Sequence, residues 1–403
     1  MYRFSLGAAR LAALFCVLAG VALPSLATAE YLGATATGVS REFNPAISVN
    51  ALLLGRVADY VVDRAYNGVD LQEAEIQLTS IVDPYWKANL VLAIHPGHEH
   101  IDDDGHGHGG YTGDVEVAYV DGINLPRGLA LRLGKDYLPF GKHAPLHTHQ
   151  FPFVDAPAAV RTFLGDHTLA EVGARLGHSL PMPWYSDLDV YGVDGKSAIF
   201  AADSRNLAYG ARWTNVFDLS AEATLEIGGS WLRGPLAADY LLTEEYAAEA
   251  LAGDLDIWGA DLTFKWISAS RSRGPALTVA GEVILPRPEQ GAQKPLGWYA
   301  YAQYRFARNW WFGLGAGAAD RDLPAHDREQ EHDPTEDEHH DHSALWRWNN
   351  VREYKANFTW TPSEFSAVRF EAARYDDQVG GLDEWLLSLQ LNFTIGSHPA
   401  HLY

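Results

Sequence analysis

Cysteine is almost missing from this chain. Cys16 is the only one, so from residue 17 onward there is no thiol for a disulfide or a thiolate metal site. Basic residues are scarce as well. Thirty Lys and Arg stand against 52 Asp and Glu, giving a formal charge of −22. Such a surface repels nucleic acid and anionic headgroups and attracts cations. After residue 29 no stretch reaches the roughly 20 apolar residues of a membrane-spanning helix. No linker rich in Ser, Pro and Gly divides the chain, and there is no helical repeat, dinucleotide fingerprint or phosphate-binding loop.

The first 29 residues have the three parts of a secretory signal. Arg3 and Arg10 supply positive charge, an apolar run follows from Leu11 to Leu23, and "LATAE" offers a cleavage site after Ala29. Phe15 precedes Cys16 where a lipid-attachment site wants a small residue. Residues 1–29 are therefore expected to be removed, which takes the formal charge to −24, since Arg3 and Arg10 are their only charged residues. Residues 30–403 are expected to form one domain.

What fills that domain is alternation with period two. In "AEIQLTSIV", Ala74, Ile76, Leu78, Ser80 and Val82 face one way, and Glu73, Glu75, Gln77 and Thr79 the other. In "EYKANFTW", Tyr354, Ala356, Phe358 and Trp360 oppose Glu353, Lys355, Asn357 and Thr359. "WGADLTFKW" sets Trp258, Ala260, Leu262, Phe264 and Trp266 against Asp261, Thr263 and Lys265. "LSLQLNFTI" repeats the pattern with Leu387 to Ile395 against Ser388 to Thr394. Runs of about 9–11 residues with aromatic ends and one apolar face describe a transmembrane barrel better than a soluble sandwich.

About sixteen runs can be placed, at 44–56, 70–82, 85–95, 113–121, 128–136, 170–178, 184–193, 205–216, 220–232, 256–268, 275–286, 296–307, 309–319, 349–361, 364–376 and 385–396. Their connections alternate between short and long, as the periplasmic turns and outer loops of such barrels do. The expected fold is all-β: a transmembrane antiparallel barrel of about sixteen strands in the outer membrane of a Gram-negative bacterium. Outer-membrane lipid and the barrel-assembly machinery are then partners, with Tyr403 as a terminal aromatic residue of the kind assembly signals use, and a homotrimer is open.

Two long connections are dense in imidazole and carboxylate. "HPGHEHIDDDGHGHGG" carries His95, His98, His100, His106 and His108 with Glu99, Asp102, Asp103 and Asp104. "HDREQEHDPTEDEHHDH" carries His326, His332, His339, His340 and His342 among eight acidic residues. Both belong to the outer side, around a pore mouth. Neutral imidazole with carboxylate suits zinc, copper or nickel. Captured ions would be exchangeable, and no resident cofactor is required. A solvated acidic loop fits the same residues. Calcium on Asp102–Asp104 fits less well, because the interleaved His favour a softer ion.

The third long connection, "FGKHAPLHTHQFPFVDAPAAVRTFLGDH", is apolar as well as polar. Phe151, Phe153, Val154 and Phe163 would not sit in water, so folding inward to narrow the lumen would bury them. His143, His147, His149, Asp155 and Arg161 are then the constriction candidates. Packing at the rim is the alternative. Mixed charges on the strands (Glu73, Glu75, Asp261, Lys265, Glu353, Lys355, Arg369, Glu371) fit either a watery lumen or cross-strand pairing. "DHS" at 341–343 and "GHS" at 177–179 lack the orienting context of a nucleophile, so no enzyme is expected.

Three stretches, "FNPAISVNALLLGRV", "HTHQFPFVDAPAAVRTFLGD" and "GSHPAHLY", resemble the outer-membrane proteins labelled zinc-regulated or TonB-dependent-receptor-like, barrels related in architecture to phosphate-selective porins. The resemblance implies a porin-like barrel and a link to zinc. An energised receptor would need an N-terminal plug and about 22 strands, whereas the first run starts near residue 44. A phosphate channel would want rings of Arg and Lys, whereas this chain is acidic. The expected function is a porin-like channel whose His- and acid-rich outer loops capture divalent metal, zinc first. The alternative is a non-conducting barrel that displays those loops for metal binding or adhesion.

Overall fold

A computed structural model describes residues 45–58, 67–96, 110–165, 169–201, 207–237, 240, 253–268, 274–289, 294–321, 350–377 and 382–396. Sixteen strands make up most of it. They are β1 (Ala46–Ala58), β2 (Gly68–Ile81), β3 (Trp86–Pro96), β4 (Tyr111–Gly122), β5 (Leu129–Tyr137), β6 (Ala170–Ser179), β7 (Tyr185–Val193) and β8 (Ala208–Ser220). Then follow β9 (Ala223–Pro235), β10 (Asp254–Ile267), β11 (Ala276–Pro288), β12 (Leu296–Ala307), β13 (Trp310–Asp320), β14 (Asn350–Ser363), β15 (Ser366–Asp377) and β16 (Leu382–Gly396). Each pairs antiparallel with its neighbours in sequence, and β1 pairs with β16, so the sheet is a closed barrel without edges.

The alternation read from the sequence decides which face is which. On β14, Tyr354 is 51% exposed and points outward, while Glu353 is 2% exposed and points inward. Trp258, Leu262 and Phe358 are likewise exposed, and Asp261, Thr263, Lys355 and Asn357 are buried. Aromatic and aliphatic side chains outside with charge inside is the reverse of a water-soluble barrel. It is the pattern hydrocarbon imposes. No helix among the described residues is long and apolar enough to cross a membrane, which says nothing of a barrel that crosses with strands.

One end of the barrel carries short turns, such as Val82–Tyr85 and Glu364–Phe365, and the other carries the long connections. Residues 138–165, between β5 and β6, do not stay at that rim. They fold into the barrel and include its only α-helix among the described residues, α1 (Ala158–Leu164). Pro157 stands at the helix start with a φ of −55°, a value its ring already fixes. Gly165 ends the helix at a φ of 93°, where a residue with a Cβ would be strained. The six residues Phe140, Phe151, Phe153, Val154, Phe163 and Leu164 are all buried. Each such side chain removed from water stabilises by about 1.5–3 kcal/mol.

This inserted segment packs against an inner wall that is locally apolar. Leu232, Leu255, Ile257 and Ile284 point inward near the long-loop end and form one buried cluster with Val160, Phe163 and Leu164. Ile199 and Phe200 (between β7 and β8) and Leu236 and Tyr240 (between β9 and β10) complete it. A bridge between Phe200 and Leu236 ties those two connections together. The Tyr240 hydroxyl donates to the Phe163 carbonyl at 2.8 Å.

Candidate functional site

The inserted segment is fastened to several strands of the wall, by two complementary sets of polar groups. Wall carboxylates accept its backbone N–H groups. Glu282 on β11 takes Lys142 N at 3.0 Å, Glu371 on β15 takes Val154 N at 2.9 Å, and Glu353 on β14 takes Ala158 N at 2.9 Å. Wall donors meet its carbonyls. Asn357 reaches Pro152 O at 2.8 Å, Arg369 reaches Phe151 O at 3.0 Å, and Gln72 on β2 reaches Val154 O at 3.2 Å. A loop backbone taken away from water needs such partners. Of the charged wall residues that sequence alone left between lining a channel and pairing with one another, Glu73, Glu75, Glu353, Lys355, Arg369 and Glu371 bind the inserted segment, whereas Asp261 pairs with Arg212.

Close approach also needs space. At Gly315 on β13 a Cβ would lie 2.9 Å from the Phe153 ring, and at Gly297 on β12 it would lie 2.8 Å from the Phe163 ring. Glycine at these inward positions lets the aromatic side chains reach the wall.

Three settings hold the five constriction candidates. His147 and His149 lie against β2 and β4. His147 Nδ1 is 3.1 Å from Glu116 Oε2 and 3.5 Å from Glu75 Oε2, and His149 Nδ1 is 3.1 Å from Glu75 Oε1. Burial alone would lower the His147 imidazole, but its bonds to Glu116 and Glu75 hold it well above its ordinary value. Asp155 and Arg161 lie toward β1 and β15. Asp155 is bonded to Arg56 of β1. Burial would raise its carboxyl, and the charges of Arg56, Arg161 and Lys355 bring it below the usual range. The Arg161 guanidinium lies 5.5 Å from the centre of the Tyr375 ring. His143 sits against two aromatic rings, 4.4 Å from the Phe151 ring centre and 6.1 Å from that of Tyr299. Neither ring nitrogen of His143 has a hydrogen-bond partner. Burial, then the nearby Lys355 charge, pushes it down to about 3.

Of the metal candidates, His95 ends β3, with Nε2 2.9 Å from Asp114 Oδ2. His98, His100, Asp102, Asp103, Asp104, His106, His108, His326, His332, His339, His340 and His342 lie outside the described residues, as do residues 1–29 and Tyr403.

Sequence reasoning missed Glu116 and Gln72. Both occupy β-bulges. The β3–β4 register shifts between Val91 and Leu92, so that Val117 and Val115 are paired and Glu116 is the extra residue. The β1–β2 register shifts between Leu52 and Leu53 and leaves Gln72 extra. A bulge re-aims one side chain against the alternation. Glu116 therefore turns inward beside the buried Val117.

No protein-family model matches the chain. An uncharacterized protein of Aquifex aeolicus is 24% identical over 371 residues, covering 83% of this chain and 70% of that protein. Among solved structures, OprB of Pseudomonas putida matches with a TM-score of 0.59 at 10% identity, covering 87% of this chain and 94% of that one. The anion-selective porin from Comamonas acidovorans matches with a TM-score of 0.52 at 13% identity, covering 87% and 98%. The fold is that of a porin-like barrel. In this porin-like barrel the interior charges are largely paired, as in Arg132 with Asp121 and Asp136, and Arg212 with Asp261. The crossing segment is the element on which Glu282, Glu353 and Glu371 converge.

Proposed function

We propose that the chain is a porin-like channel of a Gram-negative outer membrane, narrowed by residues 138–165, whose His- and acid-rich connections capture divalent metal ions at the long-loop mouth. The observation that carries the channel reading is the crossing segment: a loop held across a closed, apolar-coated barrel by polar groups from most of the wall. The captured ion is proposed to be zinc, with copper or nickel as competitors, because the connections 97–109 and 322–349 mix imidazole with carboxylate. The strong net negative charge favours cations over anions at the mouth. Removal of residues 1–29, assembly as a homotrimer and the absence of catalysis belong to the same reading.

Conductance of the purified protein in a planar bilayer, under zinc and chloride gradients, tests it. Discrete openings with cation preference support the channel, and a silent bilayer overturns it. The apolar cluster of Phe163, Leu232, Leu255, Ile257 and Ile284 favours a second reading. Dry packing at the long-loop end suits a plugged barrel that only displays its loops, and that barrel would be silent while still binding metal.

A further inference from the structure

Elsewhere in the lumen several carboxylates face Lys or Arg, as Asp155, Asp261 and Glu353 do. Around His147 they do not. Glu75 and Glu116 converge on its Nδ1 atom, and Glu73 adds a third carboxylate two residues before Glu75 on the same strand. None of the three makes an ion pair with Lys or Arg among the described residues, and the buried Oε1 of Glu73 has no hydrogen-bond partner. One donor atom each from Glu75, Glu116 and His147 lies within 4.8 Å of the others.

We propose that these three residues form a binding site for one divalent transition-metal ion inside the barrel. The reading goes deeper than capture at the mouth, since it places a second, internal station on the same route, but it holds whether or not the barrel conducts. Two features argue for it beyond proximity. Bonds of about 2.0–2.1 Å in a tetrahedral shell set neighbouring donors about 3.3 Å apart. Here the imidazole nitrogen is 3.1 Å from one carboxylate oxygen and 3.5 Å from the other. In addition, the second oxygen of each carboxylate is already engaged. His149 holds Oε1 of Glu75, and the Tyr137 hydroxyl holds Oε1 of Glu116. That leaves one oxygen of each aimed at the site, the outer-partner arrangement of protein metal centres. One nitrogen and two oxygens suit zinc, copper or nickel better than calcium or magnesium. A fourth position stays open to water, which makes the ion exchangeable.

The test uses the full chain in detergent with every His of 98–108 and 326–342 replaced by Ser, so that the mouth loops no longer compete. Cobalt(II) titration followed by visible absorption reads the site, and zinc displaces the cobalt. The expected result is a single cobalt per chain with a low-coordinate absorption band. Glu116→Gln abolishes the band, and His149→Ala weakens binding about 10–100-fold by freeing the Glu75 carboxylate. If Glu116→Gln does not assemble, His147→Gln carries the same prediction. A chain that binds no cobalt, or binds it unchanged in Glu116→Gln and His147→Gln, overturns the site. Conductance of the same sample separates the two ideas: a conducting chain without cobalt binding retires the internal site and leaves the channel standing.

Discussion

His149 Nδ1 lies 3.1 Å from Glu75 Oε1, so one carboxylate of β2 fixes both imidazoles of the crossing segment, His147 through its other oxygen. Glu75 and His149 are both buried, which makes the pair sensitive to losing one member. Taking a single partner from a buried pair costs about 3–5 kcal/mol, because the other is left desolvated and alone. Glu75→Gln should therefore loosen residues 147–150 while the barrel keeps its strands. The expected outcome is a lower thermal midpoint with unchanged far-ultraviolet circular dichroism, and faster proteolytic nicking within 138–165. Unchanged nicking would show that the other anchors hold the segment without Glu75.

Gly315 tests the β13 side of the wall. A Cβ there would stand 2.9 Å from the Phe153 ring, and Phe153 is itself buried. Gly315→Val should displace the aromatic ring or bend the strand, with an overpacking cost of about 1–3 kcal/mol. Thermal unfolding should register that loss. A conducting barrel should also change its single-channel conductance, because Phe153 belongs to the segment that crosses the lumen.

His143 gives the pH dependence its sign. Its value in the folded chain is about 3, against 6.5 for a free imidazole. Between pH 6.5 and 3 the unfolded chain binds a proton that the folded chain refuses, so stability falls as pH falls through that window. The groups facing this imidazole are Phe151, Tyr299 and the charge of Lys355, none of which accepts its proton. His143→Leu removes the liability and leaves no polar atom behind. Thermal midpoints of the two chains should nearly coincide above pH 7 and diverge at pH 4, the variant unfolding higher. Parallel curves would show that His143 gains a proton in the folded state.

Much of the fold is legible in the sequence because hydrocarbon and lumen impose opposite demands on alternate residues. All sixteen expected runs lie within about four residues of a strand. Glu353, Lys355 and Asn357 point inward as their spacing requires. The partners of the crossing segment are less legible for two physical reasons. Bulges at Gln72 and Glu116 add a residue and defeat period two locally. Inward positions also read as polar only where the lumen holds polar groups. Carrying the Asp261–Lys265 face back along β10 reaches Gly259, Ile257 and Leu255, apolar residues facing inward because they meet protein there. Glycines at 313, 315 and 317 on one face of β13 were a further sign that something presses on that wall.

His95 holds Asp114 at 2.9 Å at the end of β3, so the imidazole-rich stretch it opens starts from a fixed strand. Metal bound there through imidazole must compete with protons near pH 6.5. Zinc binding by the full chain should weaken as pH drops through that value, and replacing His98, His100, His106, His108 and the five His of 326–342 by Ser should remove most of it. The barrel should remain folded, since none of those positions falls within a described strand. Binding that persists into the carboxylate range, near pH 4, would assign the ions to Asp and Glu. Zinc titration at pH 7.5, 6.0 and 4.5 on both chains separates these outcomes, because only imidazole loses its lone pair between the first two.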